Sequence, residues 1–241
     1  MRFDITRETY HSAKLRTPHR IVQVSDLHDF LYGAEQSALI DAIRAEQPER
    51  IVCTGDLLNR RNANAFQNAL LFVRRAVEIA PVLIVEGNHE AALGETAQRH
   101  LETMRSYGAA ILRNETIEDG EVRWIGLRQR ASREVLAGLI RPDRFNLVLC
   151  HRPELFPTYA GIGADLILCG HAHGGQIRIG NVPLYAPQQG WFPRYTAGLY
   201  EQDGTRMFVS RGLGDTVPVP RIRVPHEWNV HTLLPDGSAQ S

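Results

Sequence analysis

Five apolar segments, each followed directly by polar side chains, constrain the fold of this chain more than any other feature. They read RIVQVSD, RIVCTGD, PVLIVEGNHE, FNLVLCH and ADLILCGHAH, and their apolar parts are rich in β-branched residues. Runs of this length and composition predict buried strands. Apolar residues at helical spacing predict helices at 34–47, 64–80, 95–107 and 131–139. This alternation of strand and helix predicts an α/β fold with βαβ units in the first half.

The polar side chains that follow these segments are of types that bind divalent metal ions. They are Asp26, His28, Asp56, Asn88, His151, His171 and His173. Because open α/β sheets place their sites at the carboxyl ends of the strands, we expect these side chains to lie close together. The block GHAHGGQ is the most specific, since two histidines one residue apart at a strand end rarely arise from packing. An isolated D-x-H is weak evidence, and His151 alone fits a core residue as well as a ligand. Together the five blocks predict a two-metal hydrolase.

Length and composition fit a single domain that spans 1–241, with 43% hydrophobic residues spread evenly along the chain. The donor motifs occupy about residues 20–175, and residues 176–234 are predicted to supply C-terminal strands and pocket loops. Basic and acidic residues number 27 each. This balance indicates no surface for polyanions, so general nucleic-acid binding is not expected.

The second half of the chain contains shorter apolar segments separated by turns. Strands are predicted in VRWIGLRQ, in QIRIG, in a hairpin around Asp203–Gly204 and near WNVHTLL. Mixed or antiparallel strands here, after βαβ units earlier, predict two sheets packed together with helices outside. The segment QQGWFPRY has two interpretations: Trp191, Phe192 and Tyr195 either form an apolar wall for a substrate or pack beneath a long loop.

Cysteine usage and the N-terminal segment bear on the compartment. Cys53, Cys150 and Cys169 each lie in an apolar strand. An odd number of buried thiols favours a reducing compartment over a disulfide framework. The first twenty residues are polar and contain no apolar run of signal-peptide or membrane length. We therefore expect a cytoplasmic protein.

Taken together, the donor blocks resemble the pattern of the calcineurin-like metallophosphoesterase family. Its elements D-x-H, G-D-x-x-(D/N), G-N-H-(D/E), a solitary His and G-H-x-H all occur here in that order. The ending GHAHGGQ and the later SRGLG are similar to a bacterial branch that is often anchored at membranes. The resemblance implies a four-layer αββα sandwich of two mixed β-sheets flanked by helices, with a dinuclear site at the sheet edge.

The resemblance also implies which residues hold the metals. The first metal would take Asp26, His28, Asp56 and His173, and the second would take Asp56, Asn88, His151 and His171. Asp56 would bridge two dications about 3.5–4 Å apart. The catalytic residue would be His89, which assists the leaving-group oxygen while a hydroxide that bridges the metals attacks phosphorus in line.

Two positions depart from the pattern of relatives. An Asp that orients the catalytic histidine in phosphoprotein phosphatases is replaced here by Asn59, whose amide carbonyl is expected to fix the tautomer of His89. Arg60 either contacts the phosphate or faces solvent. Asp29 follows the D-x-H block, where an apolar residue is common, and is expected to cap the loop rather than to adjust the charge of the pocket.

The predicted function is dinuclear metal-dependent hydrolysis of a phosphoric ester, of the phosphodiesterase or pyrophosphatase type. Mixed nitrogen and oxygen ligands accept Mn, Fe or Zn, of which Mn is favoured. The substrate is expected to be a phosphate ester or pyrophosphate, and three kinds stay open: an acylated or lipid-linked compound, a small soluble nucleotide and a generic monoester. A lipid-linked substrate implies peripheral membrane contact. The alternative is a non-catalytic metal-binding scaffold or interaction module on the same fold.

Overall fold

The computed structural model describes residues 2–61, 66–180, 182–186, 189–215 and 221–237. The strands in these residues are β1 Asp4–Ser12, β2 His19–Val24, β3 Arg50–Cys53, β4 Val82–Ile84, β5 Ala110–Ile111, β6 Glu115–Asp119, β7 Val122–Gly126, β8 Phe145–Leu149, β9 Leu166–Cys169, β10 Ile177–Ile179, β11 Val182–Ala186, β12 Gly190–Trp191, β13 Gly198–Gln202, β14 Thr205–Val209 and β15 Glu227–Pro235. The helices are α1 Ser37–Ala45, α2 Gln67–Ala76, α3 Asn88–Leu93, α4 Glu95–Ser106, α5 Arg133–Leu139 and α6 Phe156–Tyr159.

Most of the strands form two six-stranded sheets. The first has the order β1-β15-β2-β3-β4-β5 and the second the order β13-β14-β9-β8-β7-β6. Strands β2 to β5 are parallel, and β15 runs antiparallel to β2. In the second sheet β14, β9, β8 and β7 are parallel, with antiparallel β13 and β6 at the edges. Both sheets are therefore mixed, which confirms the predicted fold class.

Three apolar cores hold the layers together. Between the sheets, Ile21 and Leu83 of the first share a cluster with Trp124 and Phe208 of the second. A second cluster joins α1, α2 and α4 to the outer face of the first sheet, and a third joins α5 and α6 to the outer face of the second. Each fully buried side chain of this size contributes about 1.5–3 kcal/mol relative to an exposed one. The resulting layer order of helix, sheet, sheet and helix agrees with the αββα expectation.

The helices begin and end close to the predicted positions, with differences that have local causes. The 34–47 helix is shortened to Ser37–Ala45 because Glu35 and Gln36 have φ of 52° and 62°, which a helix cannot contain. The helix predicted at 64–80 is described from Gln67, since 62–65 lie outside the described residues. None of the described helices is long and apolar enough to cross a membrane.

Strand β1 was not predicted, because its sequence DITRETYHS has no apolar run. It lies at the edge of the first sheet, where it pairs in parallel with β15 along its whole length. Tyr10 is the one fully buried side chain in β1. Most side chains of β1 are exposed or half-buried, so the strand is held mainly by its backbone pairing with β15. The strand is thus specified by its partner rather than by its own composition.

His231 lies in β15 with no exposed surface, and its ring is satisfied by two neighbours. Its Nε2 lies 2.9 Å from Gln23 Oε1, and its Nδ1 lies 3.2 Å from the Tyr10 hydroxyl. A hydroxyl that donates to Nδ1 and a carbonyl that accepts from Nε2 describe a neutral imidazole. Burial lowers the pKa of His231 from 6.5 to about 3. The residue therefore belongs to the core.

We expect His231 to make the protein sensitive to acid. Between pH 6.5 and 3 the histidine binds a proton in the unfolded chain but not in the folded one. The free energy of unfolding should therefore fall as the pH decreases through this window, by about 1.4 kcal/mol per pH unit for this group. Urea unfolding of metal-stripped protein at pH 6.0, 5.5 and 5.0 should show a shallower pH dependence in His231→Gln. Equal slopes in the two proteins would contradict this assignment.

Candidate metal centre

The seven predicted ligand residues all lie at the carboxyl ends of five strands. Asp26 and His28 follow β2, Asp56 follows β3 and Asn88 follows β4, all in the first sheet. His151 follows β8, and His171 and His173 follow β9, in the second sheet. The two packed sheets therefore contribute donors to one place, which confirms the clustering expected from the sequence.

One group of donors consists of Asp26, His28 and His173, all buried. The Nε2 atoms of His28 and His173 are 3.4 Å apart, and their rings are stacked. Asp26 Oδ1 lies 3.6 Å from His173 Nε2 and 3.9 Å from His28 Nε2. Asp26 is oriented by the Ser25 hydroxyl, which donates to Oδ2 over 2.6 Å. Three donor atoms thus converge on one small volume.

A second group consists of Asp56, His151 and His171. His151 Nε2 lies 3.2 Å from Asp56 Oδ2 and 3.2 Å from Asn88 Oδ1. The Nδ1–H of His151 donates to the carbonyl of Thr54 over 2.8 Å. Such a bond directs Nε2 toward a metal and fixes the tautomer that can bind it. Asp56 also forms a donor group with His28 and His89, so it lies between the two clusters.

The donor chemistry fits divalent cations. One ring nitrogen of the site, His171 Nε2, is buried and has no hydrogen-bond partner among the described residues. Asp26 and Asp56 are carboxylates with almost no exposed surface. Buried carboxylates and unpartnered imidazoles are costly unless a cation satisfies them. Imidazole, carboxylate and amide oxygen are the ligands of borderline metals such as Mn, Fe and Zn.

The backbone of the site is held in an uncommon conformation. Positive φ angles occur at five of the donors, namely Asp26 at 50°, His28 at 49°, Asp56 at 53°, His171 at 71° and His173 at 47°. Left-handed backbone in residues other than glycine costs about 1–3 kcal/mol each and persists where the surroundings enforce it. Because the strained residues are concentrated at one sheet edge, the conformation of these loops is determined by the positions that the donors must take and not by local backbone stability.

Glu90 joins two of the loops and was not singled out by the sequence, although it ends the GNHE block. Its carboxylate accepts hydrogen bonds from the backbone N–H groups of Asp56 at 2.9 Å, Leu58 at 2.8 Å and Gly87 at 2.7 Å. Burial raises the pKa of Glu90 to about 7. The bond to Gly87 also caps helix α3, which begins at Asn88. Glu90 therefore sets the position of the Asp56 loop relative to the helix that carries Asn88 and His89.

His89 faces the donor cluster with its Nε2, which lies 4.0 Å from Asp56 Oδ2. Its Nδ1 accepts the backbone N–H of Arg60 over 3.2 Å. Asn59 Oδ1 instead accepts from the backbone N–H of Arg61. The expected contact from the Asn59 carbonyl is therefore absent, and the Arg60 backbone N–H fixes the tautomer instead, by donating to Nδ1 where a carbonyl would have accepted. The Arg60 side chain is exposed. An accepting Nδ1 leaves the proton of the neutral ring on Nε2.

Asp29 caps a helix rather than its own loop. Its Oδ1 accepts the backbone N–H of Ala69 at 2.8 Å, in the first turn of α2. The Asn68 side chain donates to its carbonyl at 2.9 Å. Capping of this kind stabilises a helix by about 0.5–2 kcal/mol. The expectation of a capping role is correct, but the capped element lies forty residues away in the sequence.

Arg221 was not predicted and lies against the first donor group. Its Nη2 is 3.0 Å from His173 Nδ1, and its Nη1 donates to the carbonyls of Arg211 and Gly212. Asp215 lies 2.8 Å from its Nε. A buried guanidinium with several carbonyl partners ties separate chain segments together. No pattern around VPRIRVP in the sequence distinguishes this arginine from its neighbours.

The charged groups of the site are strongly coupled. Burial by itself raises the pKa of Asp56, but the neighbouring His151 outweighs it and holds this pKa well below 3.8. In turn, burial lowers the pKa of His151, and the Asp56 carboxylate reverses this and raises it to about 10. Burial lowers the pKa of His89. Asp56 and His151 therefore stabilise each other's charged forms, whereas burial favours the neutral form of His89.

The three cysteines lie close to the site without entering it. All three are buried and free. Cys150 Sγ, directly after β8, and Cys169 Sγ, at the end of β9, are 3.2 Å apart. In the part of the chain that the structure describes, no cysteine belongs to a group that could hold a metal ion.

Comparisons with known proteins agree with this geometry. Residues 19–175 match the family model described as calcineurin-like phosphoesterase. The chain is 30% identical over 230 residues to the uncharacterized metallophosphoesterase YkuE of Bacillus subtilis, covering 89% of this chain and 78% of that protein. It is also 30% identical over 219 residues to the phosphodiesterase YaeI of Escherichia coli, covering 82% of this chain and 76% of that one.

A solved structure shows the same fold at low sequence identity. The sulfate thiohydrolase SoxB of Thermus thermophilus superimposes with a TM-score of 0.53 at 12% identity, over 80% of this chain and 51% of that one. The donors, their order along the chain and the match over residues 19–175 agree with the resemblance drawn from the motifs. The chain belongs to the calcineurin-like phosphoesterase family.

Proposed function

We propose that this protein is a dinuclear metal-dependent phosphoric ester hydrolase of the phosphodiesterase or pyrophosphatase type. The observation that carries the proposal is the arrangement of two buried donor groups, one around Asp26 and one around His151, with Asp56 between them. Two-metal hydrolases hold their cations about 3.5–4 Å apart, so a shared carboxylate is the side chain they need. The name phosphodiesterase carried by YaeI supports the reaction type.

The positions of the donors support the ligand sets that the resemblance implies. Asp26, His28, Asp56 and His173 would hold the first ion, and Asp56, Asn88, His151 and His171 the second. Two divalent cations, when bound, supply Lewis-acid stabilisation of the phosphoryl oxygens and lower the pKa of water to about 7. Mn is the preferred assignment among Mn, Fe and Zn, which this set of imidazoles and oxygens accepts.

His89 acts on the substrate in this proposal. Arg60 N–H occupies its Nδ1, so the proton of the neutral ring lies on Nε2 and faces the cluster. This N–H can donate to the oxygen on which negative charge develops as the ester bond breaks. Because the same Arg60 contact disfavours a second proton on Nδ1, the ring is kept neutral and correctly oriented.

We expect His89→Gln to lower kcat by about 10²–10⁴-fold, the usual contribution of a positioned acid or hydrogen-bond donor. The metal content should stay at the wild-type level, since His89 belongs to neither ligand set. Steady-state kinetics and elemental analysis on the same preparation test both points. His11→Gln, a change outside the donor cluster, is the matched control. An unchanged kcat in His89→Gln would remove this residue from the reaction.

The substrate contains a phosphodiester or pyrophosphate bond, and its leaving group is nucleotide-linked or lipid-linked. The 27 acidic and 27 basic residues give no net charge that would attract large polyanions.

Hydrolysis of bis-p-nitrophenyl phosphate, compared with p-nitrophenyl phosphate, tests the proposed reaction. Metal-stripped protein should be inactive and should recover turnover when it is reloaded with Mn²⁺. A higher kcat/KM for the diester than for the monoester is the expected result. Reloaded protein that contains two metal ions per chain but hydrolyses neither these esters nor a nucleoside diphosphate sugar would instead favour the non-catalytic scaffold.

A further inference from the structure

A third, small sheet lies directly beside the metal centre. Strands β10, β11 and β12 form it, and β10 begins four residues after His173. The sheet contacts the His173–Gly175 turn closely, because a Cβ on Gly175 would meet Pro183 Cβ at 2.5 Å. Ile222, next to Arg221, bridges to Ile177. The sheet is therefore continuous with the segments that carry and contact a donor of the site.

The two faces of this sheet differ. On the inner face, Ala186 is buried in the core of the second sheet, and Arg178 donates to the carbonyl of Gly174 at 2.8 Å. The opposite face of the sheet is the outer face, and its side chains are apolar. It consists of Ile177, Ile179, Val182, Tyr185, Trp191 and Ile222, with Phe192 at its end.

The outer face is exposed to an unusual degree for its composition. Phe192 is 74% exposed, Trp191 70%, Ile179 65%, Val182 54% and Ile222 47%. These are five of the seven large exposed hydrophobic residues in the described chain. Contiguous apolar surface of this kind marks a site of interaction, since isolated apolar residues would be scattered. Tyr195, by contrast, is buried against Phe156 and Tyr200, so the segment QQGWFPRY divides between the two interpretations of its sequence.

The charged side chains in the segments that form this face are basic. Residues 166–200 contain no Asp or Glu, and their two charged residues are Arg178 and Arg194. Arg194 is exposed next to the aromatic pair, and exposed Arg223 follows Ile222. In a chain with equal numbers of acidic and basic residues, this is a local positive region. Exposed Trp and Phe flanked by arginines are typical of surfaces that enter the headgroup region of an anionic membrane.

We propose that the outer face docks on an anionic lipid surface and so brings the metal centre to the level of the phosphate headgroups. A stable dimer interface takes about 20–30 residues from each partner, whereas this face offers seven. A lipid surface needs no such area, because a few apolar side chains and nearby cations suffice for reversible binding. Docking of this kind implies that the substrate is a phosphate ester carried by a lipid, and this implication rests on the proposed function.

Tryptophan fluorescence offers a direct test, because Trp124 and Trp228 are buried and Trp191 is exposed. Vesicles of mixed phosphatidylcholine and phosphatidylglycerol should shift the tryptophan emission of the intact protein to shorter wavelength. The protein should also sediment together with these vesicles. Binding should weaken in pure phosphatidylcholine and in high salt, which screens the arginines. The double variant Ile179→Ser/Phe192→Ser should bind at least about tenfold more weakly while Trp191 still reports.

A second variant keeps the apolar residues and reverses the charge. Arg194→Glu/Arg223→Glu should also lose affinity for the anionic vesicles. The proposal is overturned if the wild-type protein neither shifts its emission nor sediments with anionic vesicles. It is also overturned if the shift follows protein concentration without lipid, which would identify a second copy of the chain as the occupant. Hydrolysis of bis-p-nitrophenyl phosphate without vesicles is measured in parallel. Turnover without vesicle binding would contradict the docking proposal and leave the proposed reaction standing. Vesicle binding without turnover would contradict the proposed reaction and leave the docking proposal standing.

Discussion

Asp56→Asn is expected to abolish turnover, with a loss of at least about 10³-fold, because metal stabilisation of a transition state amounts to several kcal/mol. The carboxylate lies between the two donor groups and is the one side chain assigned to both metals. Its Oδ1 accepts the His89 backbone N–H at 2.7 Å, and an amide oxygen can keep that bond. The substitution therefore removes a charge and a ligand atom while the loop retains its anchor.

Kinetics and metal content together distinguish this effect from misfolding. The variant should bind fewer than two metal ions per chain after reloading, and its urea unfolding transition should remain cooperative. Asp41→Asn, the same chemical change on the exposed surface of α1, serves as the control and should keep full activity. An Asp56→Asn protein that holds two metals and turns over at the wild-type rate would refute the assignment of a bridging carboxylate.

Gly87→Ala is expected to disrupt the site although it adds only a methyl group. The backbone of Gly87 has a φ of −89°, which any residue can adopt, so the restriction is one of space. A Cβ there would lie 2.0 Å from Asp56 Oδ1 and 2.3 Å from Asp56 N. The two loops must separate to admit it, and Glu90 can no longer bond to both. Overpacking of this kind costs about 1–3 kcal/mol, and a shift of about 1 Å in catalytic groups costs about 10²-fold in rate.

A matched substitution in open space should have the opposite effect. Gly138 lies on the exposed surface of α5, and a Cβ there meets nothing within 4 Å. Gly138→Ala should therefore stabilise the protein by about 0.5–1 kcal/mol through helix propensity. Urea unfolding, metal content and kcat of the two variants give the comparison. If Gly87→Ala kept wild-type metal binding and kcat, the close approach of the Asp56 and Asn88 loops would not be required.

The sequence by itself determined the fold class and which polar side chains gather at the sheet edge. Buried parallel strands are nearly continuous apolar runs, and a site at their carboxyl ends requires polar residues directly after those runs. Both signals are local, so Asp26, Asp56 and His171 could be found without knowledge of which strands are neighbours. The main helices were predictable for the same reason, because the apolar stripe of an amphipathic helix is formed by residues of one continuous segment.

Tertiary structure alone decided which groups support the donors. Glu90 acts by accepting N–H groups of Asp56 and Leu58, and Arg60 orients His89 through its backbone, contacts that no side-chain pattern reports. Arg221 reaches His173 across 48 residues. Strand β1 forms because it pairs with the edge of β15. Trp191 is exposed and Tyr195 is buried, although only four residues separate them. Such outcomes depend on contacts between segments that are distant in the sequence. A linear pattern of residue types does not specify which of these segments will contact each other.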